Sequence, residues 1–304
     1  MNEKIFVTGA GGPAGKSVLS YLSLQGFSTI GADMREVPSP ADSFYTIPAV
    51  GHPLFLASLL RIIEREKPGL FIPTVQEELP LVARIREAIE AGGCRVFISP
   101  ASAVEIAHDK LKTARFATDH DIPAPRTFDA TTSRKVVLKE LGLPLLAKPC
   151  IGRGGRGVAV YRTAEEVYGE TRENIIFQEF IPGEEFDVNL FVDRGGNVPE
   201  FAVLKKTKLK EEIVGNALAV ERTERKPVLG VGIRAARALE LEGPLDMDIR
   251  LRNDGTPVLL EINARIGGNV LSAPEILGCL IRRWRLFPGI RIQCPHSAGQ
   301  GADR

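Results

Sequence analysis

Short apolar runs alternate with amphipathic stretches through the first third of the chain. Lys4–Thr8 reads as a buried strand, residues 18–25 as a helix and Ser28–Asp33 as a second strand. That βαβ opening predicts a parallel sheet with a Rossmann-like start. The alternation continues with a helix over 54–65, a strand over 70–73, a helix over 77–91 and a strand over 95–98. Ser99-Pro100 then opens another helix with Ser99 as its cap. A first subdomain is therefore expected over 1–107.

Asp109-Lys110 heads the next helix, which ends near His120, and the proline-marked segment Ile122-Pro-Ala-Pro-Arg126 is extended and suited to a hinge. A smaller α/β unit over 108–180 follows, then a third body over 181–281 with strands at 186–192 and 201–220 and a helix at 228–241. Between those strands the run Lys205-Lys-Thr-Lys-Leu-Lys210 is expected to form a solvated edge, with Lys205 the one facing an anionic substrate. Residues 282–304 show no clear periodicity and are expected to be a tail, disordered or shortened.

The most informative pattern is L-D-M-D-I-R-L-R-N-D-G-T-P-V-L-L-E-I-N-A-R over 245–265. Met247, Ile249 and Leu251 alternate with Asp248, Arg250 and Arg252, and Asn253-Asp254-Gly255 is hairpin turn chemistry. On the return strand Glu261 and Asn263 leave the same face, within reach of Asp248. Three oxygen ligands on two rigid strands suit magnesium, which keeps waters and phosphate oxygens as its other ligands. The same charges on an ordinary solvated hairpin are the plainer alternative.

Two glycine-rich loops add chemistry. The first, Gly9 to Gly15, resembles both a dinucleotide fingerprint, with Asp33 as the ribose acid, and a phosphate loop ending in Gly15-Lys16-Ser17; a close backbone crossing explains it equally well. A dehydrogenase or epimerase needs a Tyr-x-x-x-Lys pair, and Tyr21, Tyr45, Tyr161 and Tyr168 all lack a lysine four residues on. In the second loop, an apolar strand ends at Lys148, and Gly152, Gly154, Gly155 and Gly157 connect it to another strand. Glycine N–H groups cradle phosphate oxygens while the lysine adds a compact charge, so this loop reads as a flap over a nucleotide. The strand end Gln178-Glu179-Phe-Ile181 presents backbone groups to an adenine edge, and Glu185 a carboxylate to ribose hydroxyls.

Composition narrows the partners. The 304 residues suit two or three subdomains, and a net charge of +1 gives no reason to expect nucleic acid or an acidic membrane surface. The four cysteines and four histidines form no zinc-like spacing, and no apolar run reaches the length of a membrane span, so a reduced, cytoplasmic setting is expected.

Taken together, the motifs V-T-G-A-G-G-P-A-G, D-K, K-P-x-x-G-x-G-G-x-G, Q-E-x-I-x-G-x-E and D-(x12)-E-x-N-x-R resemble, in order, the ATP-grasp superfamily. The likeness is to stand-alone proteins similar to one half of the carbamoyl phosphate synthase large subunit. The resemblance implies an α/β ATP-grasp fold: a Rossmann-like pre-ATP-grasp subdomain, a glycine-loop lid and a C-terminal mixed-sheet subdomain. It implies that Lys110 and Lys148 hold the ATP phosphates, Gly154 and Gly155 close over them, Glu179 with Ile181 binds adenine, and Glu185 holds the ribose. Asp248, Glu261 and Asn263 would carry Mg²⁺, with Mn²⁺ as a substitute, and Arg265 would stabilise charge on the transferred phosphoryl group or the intermediate. The implied activity is an ADP-forming ligation of a small carboxylate to an amine through an acyl phosphate, and homodimerisation is left open. A non-catalytic ATP-binding module of the same fold and an NAD(P)-dependent epimerase or reductase are the alternatives.

Overall fold

Three sheets follow one another in the computed structural model, which describes residues 3–211 and 214–286. The first is parallel throughout: β1 (Lys4–Thr8), β2 (Ser28–Asp33), β3 (Ser43–Thr46), β4 (Leu70–Ile72) and β5 (Arg95–Val96), in the order β3-β2-β1-β4-β5. Helices cover both its faces, so central β1 is apolar on both sides and Ile5, Phe6 and Val7 are fully buried. The helix after β1, Pro13–Leu24, begins five residues earlier than its apolar spacing suggests, with Pro13 in the first turn. Gly15 lies inside it, and a Cβ there would stand 2.1 Å from the Gly9 carbonyl oxygen. The glycines of this loop thus allow a tight strand-to-helix crossing.

The expected single helix over 77–91 is a short turn, Gln76–Glu78, and two helices, Leu79–Arg84 and Arg86–Ala91. They meet at Ile85, whose N–H is shared between the Leu81 and Val82 carbonyls. Ser99 does not cap the helix Ala101–His108; its hydroxyl donates to the Glu242 carbonyl at 2.8 Å and accepts the Glu242 N–H at 2.9 Å, tying the first body to the third.

The second sheet, β6 (Thr127–Asp129), β7 (Leu145–Pro149), β8 (Ala159–Tyr161) and β9 (Ile175–Glu179), is antiparallel in the order β6-β9-β7-β8. It has a small core of its own around Val137, Leu145, Val167 and Phe177.

The third sheet contains β10 (Glu185–Val192), β11 (Glu200–Glu211), β12 (Val214–Thr223), β13 (Gly243–Leu251) and β14 (Pro257–Asn263) in the order β12-β11-β10-β13-β14. Every pairing is antiparallel, where a mixed sheet is expected from the sequence. The pairs β10–β11 and β13–β14 are joined by short turns at 193–199 and 252–256, which permit only the antiparallel sense, whereas β10 and β13 pair across a connection that contains β11, β12 and the helix Lys226–Ala238. The lysine run 205–210 lies within β11 and is paired with β12, but only Lys205, opposite Phe186, is paired with β10 as well; Thr207, Lys208 and Lys210 are exposed, as expected of a solvated edge.

The first and third sheets share continuous apolar cores. One runs from Val18 and Leu22 through Phe191 and Leu204 to Leu277 and Trp284. Part of the expected tail therefore belongs to the fold, because Arg282 to Leu286 finish the helix Pro274–Leu286. Trp284 is only 4% exposed, and its Nε1 donates to the Gly69 carbonyl at 2.9 Å. The remainder of that expectation, 287–304, falls outside the described residues. Among the described residues no helix is long and apolar enough to cross a membrane.

Candidate active site

The three bodies enclose a cleft of about 900 Å³, floored by the third sheet, roofed by the glycine loop of the second and closed at one end by the Gly9–Gly12 turn of the first. Strand parity builds the floor. In β10, Glu185, Asp187 and Asn189 share a face, and in register with them stand Lys206 on β11 and Arg250, Asp248 and Asp246 on β13. Asp248 in turn faces Glu261, and Asp246 faces Asn263. A bulge between Asp248 and Ile249 re-aims the strand there, placing the extra residue on the Glu261 side. The polar face of the expected hairpin is therefore buried: Arg250 is 6% exposed and Asn263 6%.

At the roof, Asp109 caps the helix Lys110–Asp119 by accepting the N–H groups of Leu111 and Lys112. That cap aims Lys110 across the cleft, where its Nζ donates to the Gly152 carbonyl at 3.0 Å and to Glu261 Oε1 at 3.3 Å. Lys148 Nζ donates to Gln178 Oε1 at 2.8 Å, and Gln178 Nε2 donates to Thr127 Oγ1 at 3.1 Å. Gln178 is 3% exposed and is absent from the cleft lining, and its side chain holds Lys148 in place. Burial pushes the Lys148 ammonium down to about 8, the charge of Lys110 adding to this and Glu261 opposing it. Gly152, Gly154 and Gly155 line the cleft, whereas Gly157, at φ +73°, anchors the loop: its carbonyl accepts from Arg172 at 2.6 Å. Arg153, in the same loop, reaches Glu77 of the first body at 3.2 Å.

Glu179 and Ile181 line the far end. The Glu179 carboxylate is taken by Arg252 and the Arg126 N–H, so backbone groups are what this strand end offers a ligand. Glu185 is held by Lys206 at 2.7 Å and by Arg250, both of which depress its carboxyl below the usual range against the opposing effect of burial.

Lys206 is the main correction to the sequence reading. Lys205 pairs with Glu184 on the outer side of β11, opposite Phe186, while Lys206 enters the cleft and donates to Glu185 and to Asp248 at 2.6 Å. Asp187 and Asp246 are further cleft residues that composition and motif spacing miss; the alternation E-F-D-V-N over 185–189, in register with D-M-D over 246–248, carries the signal. Ligand oxygens of Asp187, Asp246 and Asp248 lie within 4.8 Å of one another. Burial and the neighbouring Asp187 raise the Asp246 carboxyl well above its ordinary range, and burial lifts Asp248 to about 6 against the pull of Lys206. Arg265 donates to the Ile266 carbonyl at 2.7 Å and to Asn263 Oδ1 at 3.3 Å.

Asp248, Glu261 and Asn263 thus share one face of adjacent strands and offer only oxygen donors, which fits a hard divalent cation. In the first body Asp33 is engaged within its own loop, its Oδ2 accepting the Gly11 N–H at 2.9 Å. That loop touches the third body, with Ser17 Oγ donating to the Gly268 carbonyl at 3.1 Å.

A parallel first body, a glycine-loop lid and an antiparallel sheet bearing carboxylates under two lysines define an ATP-grasp protein. The chain belongs to the ATP-grasp family: the model of the ATP-grasp domain matches residues 107–269, more than half of the sequence. Over 268 residues it is 24% identical to the carbamoyl phosphate synthase large chain of Methanosarcina mazei, covering 81% of this chain and 24% of that one. Over 244 residues it is 32% identical to the same protein of Thermus thermophilus, covering 74% and 23%. The chain spans about a quarter of the length of these curated relatives. The L-amino acid ligase of Bacillus licheniformis shares the fold, with a TM-score of 0.66 at 20% identity over 89% of this chain and 69% of that one.

Proposed function

We propose that this protein is an ATP- and Mg²⁺-dependent, ADP-forming ligase that activates a small carboxylate as an acyl phosphate and joins it to an amine. The observation that carries the reading is the opposition of two lysines, Lys110 and Lys148, to a row of carboxylates across one enclosed cleft. A triphosphate with its divalent ion is the ligand whose charges alternate to match. Relatives that are ligases or synthases, including the L-amino acid ligase, support the reaction class.

Lys110 and Lys148 hold the phosphates, the N–H groups of Gly154 and Gly155 close over them, the backbone at Glu179 and Ile181 takes the adenine edge, and Glu185 takes the ribose. Asp248, Glu261 and Asn263 hold the magnesium, which when bound neutralises charge on the phosphates. Arg265, which lines the cleft beside Asn263, stabilises charge first on the transferred phosphoryl group and then on the tetrahedral oxyanion formed when the amine attacks. Lys206, in place of Lys205, is the third-body lysine that faces the reacting groups. Acyl phosphates hydrolyse readily, and the glycine loop, clasped to the first body by Arg153 and Glu77, excludes water.

A screen of amino acids and short carboxylic acids, in pairs, for ADP and phosphate release tests the reading. Stoichiometric ADP and phosphate only when both an acid and an amine are present is the expected outcome. Tight ATP binding with no turnover under any pair would instead make the protein a non-catalytic ATP-binding module.

A further inference from the structure

The corner of the cleft formed by Asp187 and Asp246 is not used by any of the nucleotide contacts. Asp187 is 1% exposed and Asp246 7%. Asp187 is fixed by two side-chain amides: Asn189 Nδ2 donates to its Oδ1 at 3.0 Å and Asn269 Nδ2 to its Oδ2 at 2.8 Å. Asp246 cannot turn away, because its Oδ2 packs against Gly267, where a Cβ would stand 2.1 Å from it. Its Oδ1 is buried and has no hydrogen-bond partner. A buried carboxylate oxygen left bare beside two other carboxylates is costly unless something donates to it.

We infer that this corner receives the primary ammonium group of the acceptor amine. An ammonium group can donate to both Asp187 and Asp246, whose oxygens lie within 4.8 Å of one another, while Asp248 beside them stays with Lys206 and the magnesium. The protein already seats such a group next door, since the ammonium of Lys206 lies between Glu185 and Asp248 at 2.7 and 2.6 Å. Charge favours a monovalent occupant over a second divalent ion. Asp187 and Asp246 bring two negative charges to the corner and Arg265 Nη1, 3.9 Å from Asp246 Oδ2, offsets one of them, so a monovalent ion completes the balance that a second divalent ion would overshoot. Position favours the acceptor over the nucleotide. Asn269, which holds Asp187, and Gly268, whose carbonyl accepts from Ser17 of the first body, line the cleft together with the Gly9–Gly12 turn. The acceptor's nitrogen would therefore wait as an ammonium on the floor shared with the magnesium ligands, and would give one proton to Asp187 or Asp246 before attacking as the neutral amine. This rests on the ligase reading for its role, but not for its binding chemistry.

The test is direct binding, followed by ligand-observed NMR, of glycine ethyl ester and of its neutral isostere ethyl glycolate. Both are added to protein saturated with magnesium and a non-hydrolysable ATP analogue. Wild type is expected to bind the ammonium probe at least tenfold more tightly than the neutral one, and Asp246→Asn and Asp187→Asn to lose that preference while keeping their affinity for the nucleotide analogue. Equal binding of the two probes by wild type overturns the inference. So does a loss of manganese binding in Asp246→Asn, measured by electron paramagnetic resonance, with the probe preference retained; the corner would then hold a metal ion. Selective ammonium binding without turnover of any acid and amine pair would leave the subsite standing and remove the ligase reading.

Discussion

At the scale of single residues the site depends on which side of a strand each charge leaves. Lys205 and Lys206 are neighbours in sequence with opposite fates, so Lys206→Met is expected to lower ATP turnover at least tenfold, whereas Lys205→Met leaves it within about twofold; steady-state kinetics of the two variants checks this. That distinction was hidden in a run of four lysines, because parity against β10 is set by a register formed with a strand some twenty residues away. Lys148, by contrast, was legible from its place at the end of an apolar strand before a glycine loop, and its buried surroundings give it a pH signature. The charged form binds phosphate, and the free ammonium sits at about 8, so affinity for Mg-ATP is expected to be flat in this respect below pH 8 and to weaken above it. The loss approaches about tenfold per pH unit once the lysine is neutral. Calorimetric titration between pH 6.5 and 9.5 measures it, and Lys148→Met should flatten the upper limb. Glu261→Gln removes one oxygen charge from the hairpin and is expected to raise the magnesium requirement steeply; a flat magnesium titration in that variant would count against the hairpin site.

At the scale of elements, the hairpin β13–β14 and the glycine loop were the most readable parts, since turn chemistry and glycine spacing are local. What escaped was the other half of the floor. Asp187 and Asn189 sit in β10 among Phe186, Val188, Leu190 and Phe191, and a strand so rich in apolar residues reads as core until its polar face is seen to front a cleft. The antiparallel pairing of β10 with β13 and the break at Ile85 were hidden for the same reason: both are decided by tertiary partners. The first glycine loop looked like a nucleotide signature, yet its glycines answer to packing. Gly15→Ala forces a Cβ against the Gly9 carbonyl, and a stability loss of about 1–3 kcal/mol is expected in denaturant titration.

At the scale of the whole molecule, the first and third sheets share apolar cores while the lid keeps a small one of its own. The lid joins the rest through the extended segment 122–126 and through polar contacts such as Arg153 with Glu77. A unit with few shared apolar contacts opens at lower free energy than the body it covers. Amide hydrogen exchange is therefore expected to be faster in 127–180 than in β1 and β10, and to slow on adding Mg-ATP. At the opposite side Trp284 closes the joint core, so Trp284→Ala is expected to cost about 3–5 kcal/mol, read as a lowered melting temperature without loss of nucleotide specificity.

The measurement that bears most directly on the account is a calorimetric titration of ATP into the protein with and without magnesium, repeated for Lys148→Ala. One ATP per chain, bound only weakly without magnesium and weakened at least tenfold in the variant, is the expected result. Absence of binding, or binding indifferent to both magnesium and Lys148, would contradict it.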